Sequence, residues 1–323
     1  MKSIARIGAL LFGVLCLAVG PAHAQAWPNK PVRIIAPFAP GGAADTLGRL
    51  IADQLTTTFK QQFFVENRGG AGGIVGALAG AQADPDGYTL VVSSIASNVI
   101  SPVFNANVGY DGIKDFTHIA YLGGPPNVFV VHPSAGVNSF EELLALMRSQ
   151  PTGIQYVSPS IGSVGNMVAE YVADKEKVKL VHIVYRGGGA AIQDLVAGHV
   201  KVGSMTLSTT QPHILAGKLK PLAISSEKRV AEFPDVPTLV ELGYPGLIVR
   251  TWYSLSGPAG LPRDIVEKLN AAVNKAMNLP ELQKHLAAEM VQTEAMTPEQ
   301  MTAFMQREVS QWAPTARRIS ETK

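Results

Sequence analysis

The chain has 323 residues, 46% of them hydrophobic and 16% charged, with 31 Gly, 22 Pro and a single Cys. That length accommodates about two domains with substantial cores, and the apolar content excludes disordered and collagen-like classes. A formal charge of +2 leaves no basic footprint for nucleic acid or for an anionic membrane surface.

In chain order, the first element is a leader. Lys2 and Arg6 flank the start of an apolar run over 7–20, which closes on Pro21-Ala22-His23-Ala24. The run is shorter than the ~20 residues of a spanning helix, and its basic start and A-x-A ending mark a secretory signal. Residues 1–24 are predicted to be removed after Ala24. Lys2 and Arg6 go with them, so the exported chain is neutral. Cys16 goes too. Leu15, Val14 and Gly13 before it do not make a lipidation site, and the exported protein has no disulfide, thiol nucleophile or thiolate ligand.

The exported part alternates short apolar strands with amphipathic helices. Val32 to Ala36 reads as a strand, Pro40-Gly41-Gly42 as a turn, and Leu47, Leu50, Ile51 and Leu55 as the buried face of a helix. Phe63-Phe64-Val65 reads as a second strand, followed by Gly69-Gly70-Ala71-Gly72-Gly73 and a helix of small residues. Asp84-Pro85-Asp86-Gly87 is a turn by its own chemistry, Pro fixing φ and Gly accepting a positive one. It delivers an apolar strand over 88–92, and similar runs cover 119–122, 128–131, 180–185 and 219–224. Ser139-Phe140-Glu141-Glu142 and Thr297-Pro298-Glu299-Gln300 are helix starts of the capping-box kind. From residue 262 the chain is predicted to be wholly helical, with Pro314 kinking or ending the last helix. The whole pattern is that of an α/β protein with parallel-type sheets.

Two turns echo each other. Pro40-Gly41-Gly42-Ala43-Ala44 and Gly187-Gly188-Gly189-Ala190-Ala191 each follow a strand and open a helix, one in each half of the chain. Free N–H groups at a helix start bind anions, and two such turns across a cleft suit a ligand with negative ends. The same glycines also serve as tight strand–helix turns, and the pattern alone leaves both readings open. Hydroxyls cluster at predicted strand ends, at Ser93-Ser94, Ser158-Pro159-Ser160, Ser163 and Ser208-Thr209-Thr210, where open α/β sheets bind ligands.

Other chemistries lack their residues. No phosphate-binding loop of the G-x-x-x-x-G-K-[ST] type is present, and Gly69 to Gly73 lacks the acidic partner of a dinucleotide site. Gly162-Ser163-Val164-Gly165 misses the nucleophile-elbow pattern. The six histidines beyond the leader, at 118, 132, 182, 199, 213 and 285, include no H-E-x-x-H and no close ligand pair. No cofactor or metal is expected.

The sequence resembles the periplasmic receptors of tripartite tricarboxylate transporters, the Bug family. The resemblance rests on Trp27-Pro28-Asn29-Lys30-Pro31-Val32-Arg33, Pro40-Gly41-Gly42 with Asp45, Val65-Glu66-Asn67-Arg68 with the glycines after it, and Asp84-Pro85-Asp86-Gly87-Tyr88. It continues through Lys114-Asp115-Phe116-Thr117, Tyr185-Arg186-Gly187-Gly188-Gly189, Pro212-His213-Ile214 with Ala216-Gly217-Lys218-Leu219, and Pro234-Asp235-Val236-Pro237-Thr238, covering the exported chain in order. It implies a type II periplasmic binding fold with two lobes, a hinge and a central cleft. Lobe one would be residues 25–124 with 247–323, and lobe two residues 125–246. By the same resemblance, a small carboxylate would meet Ala39, Gly41, Gly42, Ala43 and Asp45 on lobe one, with Ser94. On lobe two the expected contacts are Ser160, Ser163, Asn166, Arg186, Gly187, Gly188 and Ala190, with Ser208. The partner would be a transporter permease or a sensor kinase, and the receptor a monomer in the periplasm.

The chain departs from the family at three places. Asn98 and Asn166 stand where His is frequent, and Met205-Thr206 stands near a frequent Asp-Asn pair. Without that acid to meet an ammonium, a plain mono- or dicarboxylate, aliphatic or aromatic, is expected over an amino acid. The alternatives from other classes are a periplasmic enzyme acting on a small anion and a ligand-free interaction protein.

Overall fold

The computed structural model describes residues 27–38, 40–105, 107–185 and 187–321. The predicted leader lies outside them. In chain order the elements are β1 (Val32–Ala36), α1 (Ala43–Phe59), β2 (Phe63–Asn67), α2 (Ile74–Ala81), β3 (Thr89–Ser94), α3 (Ser101–Phe104) and β4 (Phe116–Gly123). Next come β5 (Asn127–Val131), α4 (Phe140–Ser149), β6 (Ile154–Val157), α5 (Val164–Glu176), β7 (Leu180–Ile183), α6 (Gly188–Val196), β8 (Val202–Thr206), α7 (Leu207–Leu215) and β9 (Lys220–Ile224). The chain ends with β10 (Tyr253–Pro258), α8 (Arg263–Met277), α9 (Pro280–Ala288) and α10 (Pro298–Glu321).

These strands form two five-stranded sheets, ordered β2-β1-β3-β10-β4 and β7-β6-β8-β5-β9. Position by position the two orders match: β1 corresponds to β6, β2 to β7, β3 to β8, β10 to β5 and β4 to β9. Neither sheet is purely parallel, contrary to the sequence expectation. β10 runs antiparallel between β3 and β4, and β5 runs antiparallel between β8 and β9. The reason is connectivity, because each of these strands receives the chain as it crosses from the other sheet.

The crossings lie side by side, at 124–126 and 249–252. Thr251 N–H donates to the Pro125 carbonyl (2.9 Å), and Pro126 bridges Arg250. Gly124 has no room for a side chain, since a Cβ there would sit 2.2 Å from the Thr251 oxygen. Gly124 also exchanges both backbone hydrogen bonds with Gln292, at 3.1 Å each. This pairing breaks the predicted all-helical tail: α9 ends, Met290 takes φ 53°, and the chain runs extended to α10. Helix α10 in turn continues through Pro314. Trp312, Ala313, Thr315 and Ala316 are all buried around it, and that packing outweighs the ~3 kcal/mol a proline costs inside a helix.

The core follows from the strand and helix patterns. Leu47, Ile51 and Leu55 of α1 pack with Val32, Ile34, Leu90, Val92 and Leu255 of the first sheet and with Leu269 and Val273 of α8. Each such side chain contributes roughly 1.5–3 kcal/mol by burial. A second cluster joins the two sheet units, bringing Ile95, Val99 and Tyr121 together with Phe129, Phe140, Trp252 and Trp312. Helix α10 therefore packs on both units. Trp252 Nε1 donates to Glu308 Oε2 (2.7 Å), and Arg318 donates to the Glu170 carbonyl (2.8 Å) and pairs with Asp174 (2.6 Å). No helix among the described residues is long and apolar enough to cross a membrane.

Candidate functional site

Six parallel strands, three per sheet, end in turns that carry the predicted ligand contacts. In the first sheet, β1 runs into Pro40-Gly41-Gly42 and α1. Gly41 has φ +82° and open space around its Cβ position, and Gly42 caps the helix with no side-chain hydrogen bond to the first turn. The Gly41 N–H donates to Asp45 Oδ2 (2.9 Å), while Asp45 Oδ1 receives Asn67 Nδ2 and Arg49, each at 2.9 Å. Burial alone would raise the Asp45 carboxyl. The hydrogen bonds from Arg49, the Gly41 N–H and Asn67 outweigh it and hold the group below the usual carboxylate range. Asn67 also donates to the Phe38 carbonyl (3.2 Å), which ties this turn to the one after β2.

The second sheet repeats the device with different side chains. After β6, Gly162 has φ +72° and its N–H donates to Asn166 Oδ1 (2.9 Å). Ser163 caps α5 by accepting from Asn166 N–H (3.2 Å), and its own hydroxyl donates to the Ser160 carbonyl (2.7 Å). After β7, Gly187 N–H donates to the Pro159 carbonyl (2.8 Å). A Cβ on Gly188 would lie 3.8 Å from Thr209 and 4.0 Å from Pro159. The starts of α5, α6 and α7 thus gather at one edge. Helices α6 and α7, like α1, begin without a side-chain cap. The two units touch here as well, because Gly162 faces Ile100 and Phe104, a Cβ meeting them at 3.0 and 3.4 Å.

The tripartite tricarboxylate transporter family receptor domain matches residues 47–320. The chain belongs to this receptor family. BugT of Bordetella pertussis is 31% identical over 298 residues, covering 92% of this chain and 91% of that one. Among solved structures, R. palustris Rpa4515 with adipate superposes with a TM-score of 0.80 at 28% identity, covering 91% of this receptor and 98% of its own chain. MatC from Rhodopseudomonas palustris with bound malate gives 0.77 at 31% identity, with 90% and 100% covered. These superpositions place the receptor's two sheets in the periplasmic binding protein fold.

The residues predicted to contact ligand divide into three groups. Gly41, Gly42, Ala43, Gly187, Gly188 and Ala190 lie at uncapped helix starts and are exposed or half-buried; Ser160, Ser163 and Ser208 are half-buried at the same strand ends. Asp45, Asn166 and Ser94 are nearly inaccessible, at 5%, 1% and 1%, and their side chains are engaged within the protein. Ser94 caps the π-helical turn Ile95–Ile100 through a reciprocal pair with Ser97. In the structure these three side chains brace the turns around them. Ala39 and Arg186 lie outside the described residues.

The predicted echo between the two glycine turns also changes. Topology pairs Gly41 with Gly162, both the left-handed residue ahead of a helix that follows the second-position strand of its sheet. What Gly41-Gly42 and Gly187-Gly188 share is different: each leads into a helix start lacking a side-chain cap.

The sequence reading missed Tyr156, Glu170 and His182 as site residues. Asn166 Nδ2 donates to the Tyr156 hydroxyl (2.7 Å), which donates to Glu170 Oε1 (2.8 Å). The Tyr156 ring stacks on His182 at 4.9 Å, and His182 Nε2 lies 2.8 Å from Ser158 Oγ. The only available signal was the four-residue spacing of Asn166 and Glu170 on one helix face, opposite an inward Tyr on the preceding strand. Burial raises the Glu170 carboxyl, opposed by the Tyr156 hydrogen bond and the Arg318 charge. Among the described residues no group of His, Cys, Asp and Glu is arranged to hold a metal ion.

Proposed function

We propose that this receptor captures a small organic carboxylate in the periplasm and delivers it to the permease of a tripartite tricarboxylate transporter. The observation that carries the reading is the set of uncapped helix starts at α1, α6 and α7, on the carboxyl ends of parallel strands in both sheets. The first N–H groups of a helix have no partner within it, and the dipole there favours negative charge. At α1 and α6 the cap position is a glycine, Gly42 and Gly187, with no side chain to fill it, and at α7 the Thr206 side chain makes no capping hydrogen bond. A carboxylate oxygen supplies the missing acceptors without any net basic charge on the protein.

The reading divides the receptor into two lobes, residues 25–124 with 247–323 and residues 125–246, hinged at the paired crossings. Ligand bound between them closes the cleft. Residues 1–24 direct export and are removed after Ala24, and the receptor works as a monomer. Adipate and malate in the related structures support a plain mono- or dicarboxylate as ligand.

Calorimetry with malate, adipate and aromatic carboxylates, against amino acids as controls, tests this. Binding of at least one carboxylate with a Kd near micromolar, about −8 kcal/mol, is expected. Gly188→Leu, at a helix position with normal φ and open surroundings, should abolish it with the thermal midpoint preserved. Failure of every carboxylate to bind, or turnover of a bound one, overturns the reading.

A further inference from the structure

Every hydrogen bond in the chain behind the 158–163 loop has a defined direction. A Glu170 carboxylate can only accept, so the Tyr156 hydroxyl donates to it at 2.8 Å. With its proton committed, the Tyr156 oxygen accepts, and the group facing it is the Asn166 Nδ2 at 2.7 Å. That fixes the amide: Asn166 Oδ1 points the other way and accepts the Gly162 N–H at 2.9 Å. Reversing the amide would set its NH2 against the Gly162 N–H, donor against donor. The chain is buried where it matters, Tyr156 and Asn166 being 0% and 1% accessible, and an unmatched donor there costs its full desolvation.

The loop held this way has no easy alternative. Gly162 needs its positive φ and its missing side chain, since Ile100 and Phe104 of the first unit press on it. Its other end is fixed by Ser158, whose hydroxyl lies between His182 Nε2 (2.8 Å) and Ser163 Oγ (3.2 Å), with His182 stacked on the same Tyr156 ring. Glu170 also lines a cavity of about 580 Å³ that reaches Asn166 and Ile161 of the loop, together with Asp174, His182 and Arg318.

We propose that Glu170 is a positioning residue for ligand capture: through Tyr156 and Asn166 it sets the direction of the Gly162 N–H and hence the shape of the loop that bears Ser160 and Ser163. The inference rests on the carboxylate-receptor reading for its effect on affinity, but the loop geometry exists without ligand and is tested without it.

Amide hydrogen exchange at Gly162 in the ligand-free protein is compared for wild type, Tyr156→Phe, Glu170→Ala and Glu170→Gln. Exchange about tenfold faster or more in Tyr156→Phe and Glu170→Ala is expected, with Glu170→Gln near wild type because its side-chain oxygen still accepts. Thermal midpoints confirm that each variant folds, and Tyr156→Phe keeps the ring and its stacking on His182. The affinity for malate or adipate, whichever binds, falls about tenfold in the same two variants and is rescued in Glu170→Gln. Unchanged Gly162 exchange in both disrupting variants overturns the proposal, as does altered exchange with unaltered affinity. If no carboxylate of the calorimetric set binds wild type, the receptor reading fails at that arm while the exchange comparison still decides the positioning role.

Discussion

Asp45 and Asn166 occupy the same turn of their respective helices, and each accepts the N–H of a left-handed glycine four residues earlier at 2.9 Å. One is a carboxylate gripped by Arg49 and Asn67, the other an amide gripped by Tyr156. The same backbone problem, holding a positive-φ turn open ahead of a helix, is solved once with charge and once without.

Removing the charged brace should show in stability and in acid. Asp45→Ala leaves Gly41, Asn67 and Arg49 without their acceptor and is expected to cost about 1–3 kcal/mol, seen as a lower thermal midpoint at pH 7. Because the folded Asp45 titrates below its unfolded range, its contribution is present above that range and fades as pH falls through the folded value. The gap between wild type and Asp45→Ala should therefore close in strong acid. A gap that widens on acidification contradicts the assigned role.

Gly124 and Gly41 make a contrasting pair. Alanine at Gly124 drives a methyl to 2.2 Å from the Thr251 oxygen at the crossing, whereas alanine at Gly41 meets nothing within 4 Å. Gly41→Ala should cost only the ~1–2 kcal/mol of a left-handed backbone, while Gly124→Ala destabilises by considerably more. Chemical denaturation of the two variants checks the order, and equal losses would refute the tight crossing.

Glu308 is buried beside Trp252, and burial pushes its carboxyl up to about 7, against the pull of Trp252, Arg307 and Arg250. The folded state then holds a proton that the unfolded state releases, so this group makes stability fall as pH rises from about 4.5 to about 7. Glu308→Gln, which still accepts from Trp252, should be more stable than wild type by about 2–3 kcal/mol at pH 8 and nearly equal to it at pH 4. His118 acts in the opposite sense: burial lowers it to about 4, so protonation of the unfolded chain below 6.5 weakens the fold. Without Glu308 to offset it, Glu308→Gln should lose stability more steeply than wild type between pH 6.5 and 4.5. Thermal midpoints across pH 4–8 read both effects, and parallel profiles would exclude the Glu308 assignment.

Much of the fold was legible because long apolar runs and caps speak locally. Val32–Ala36 and Ala43–Phe59 fall where alternation and spacing place them, and Thr297 and Gln300 form their reciprocal box at 2.8 and 3.2 Å. Of the strands that went unread, β6 is only four residues long, and β8 and β10 carry serines at fully buried positions. Ser204 and Ser256 are 0% accessible, and their hydroxyls lie 2.9 Å from the Asn127 amide and 3.3 Å from His118 Nδ1. Such partners arrive from other strands, so no local pattern marks the segment as sheet. The candidate site shows the same limit. Glycine density drew the eye to residues 41–42 and 187–189, but what holds the 158–163 loop is a Tyr on a strand and a Glu one turn down a helix.

The order of strands in the first sheet also constrains how the chain comes together during synthesis. β10 sits between β3 and β4 but lies far after both in the chain, at 253–258 against 89–94 and 116–123, so until it is made β3 and β4 have no shared partner. The second sheet has no such debt: all its strands, β5 through β9, lie in one unbroken stretch and are complete before β10 appears. The middle of the chain is thus able to fold as a unit first. The earlier strands must wait for residues 253–258 to close them, and until then the edge of β3 stays open to wrong partners.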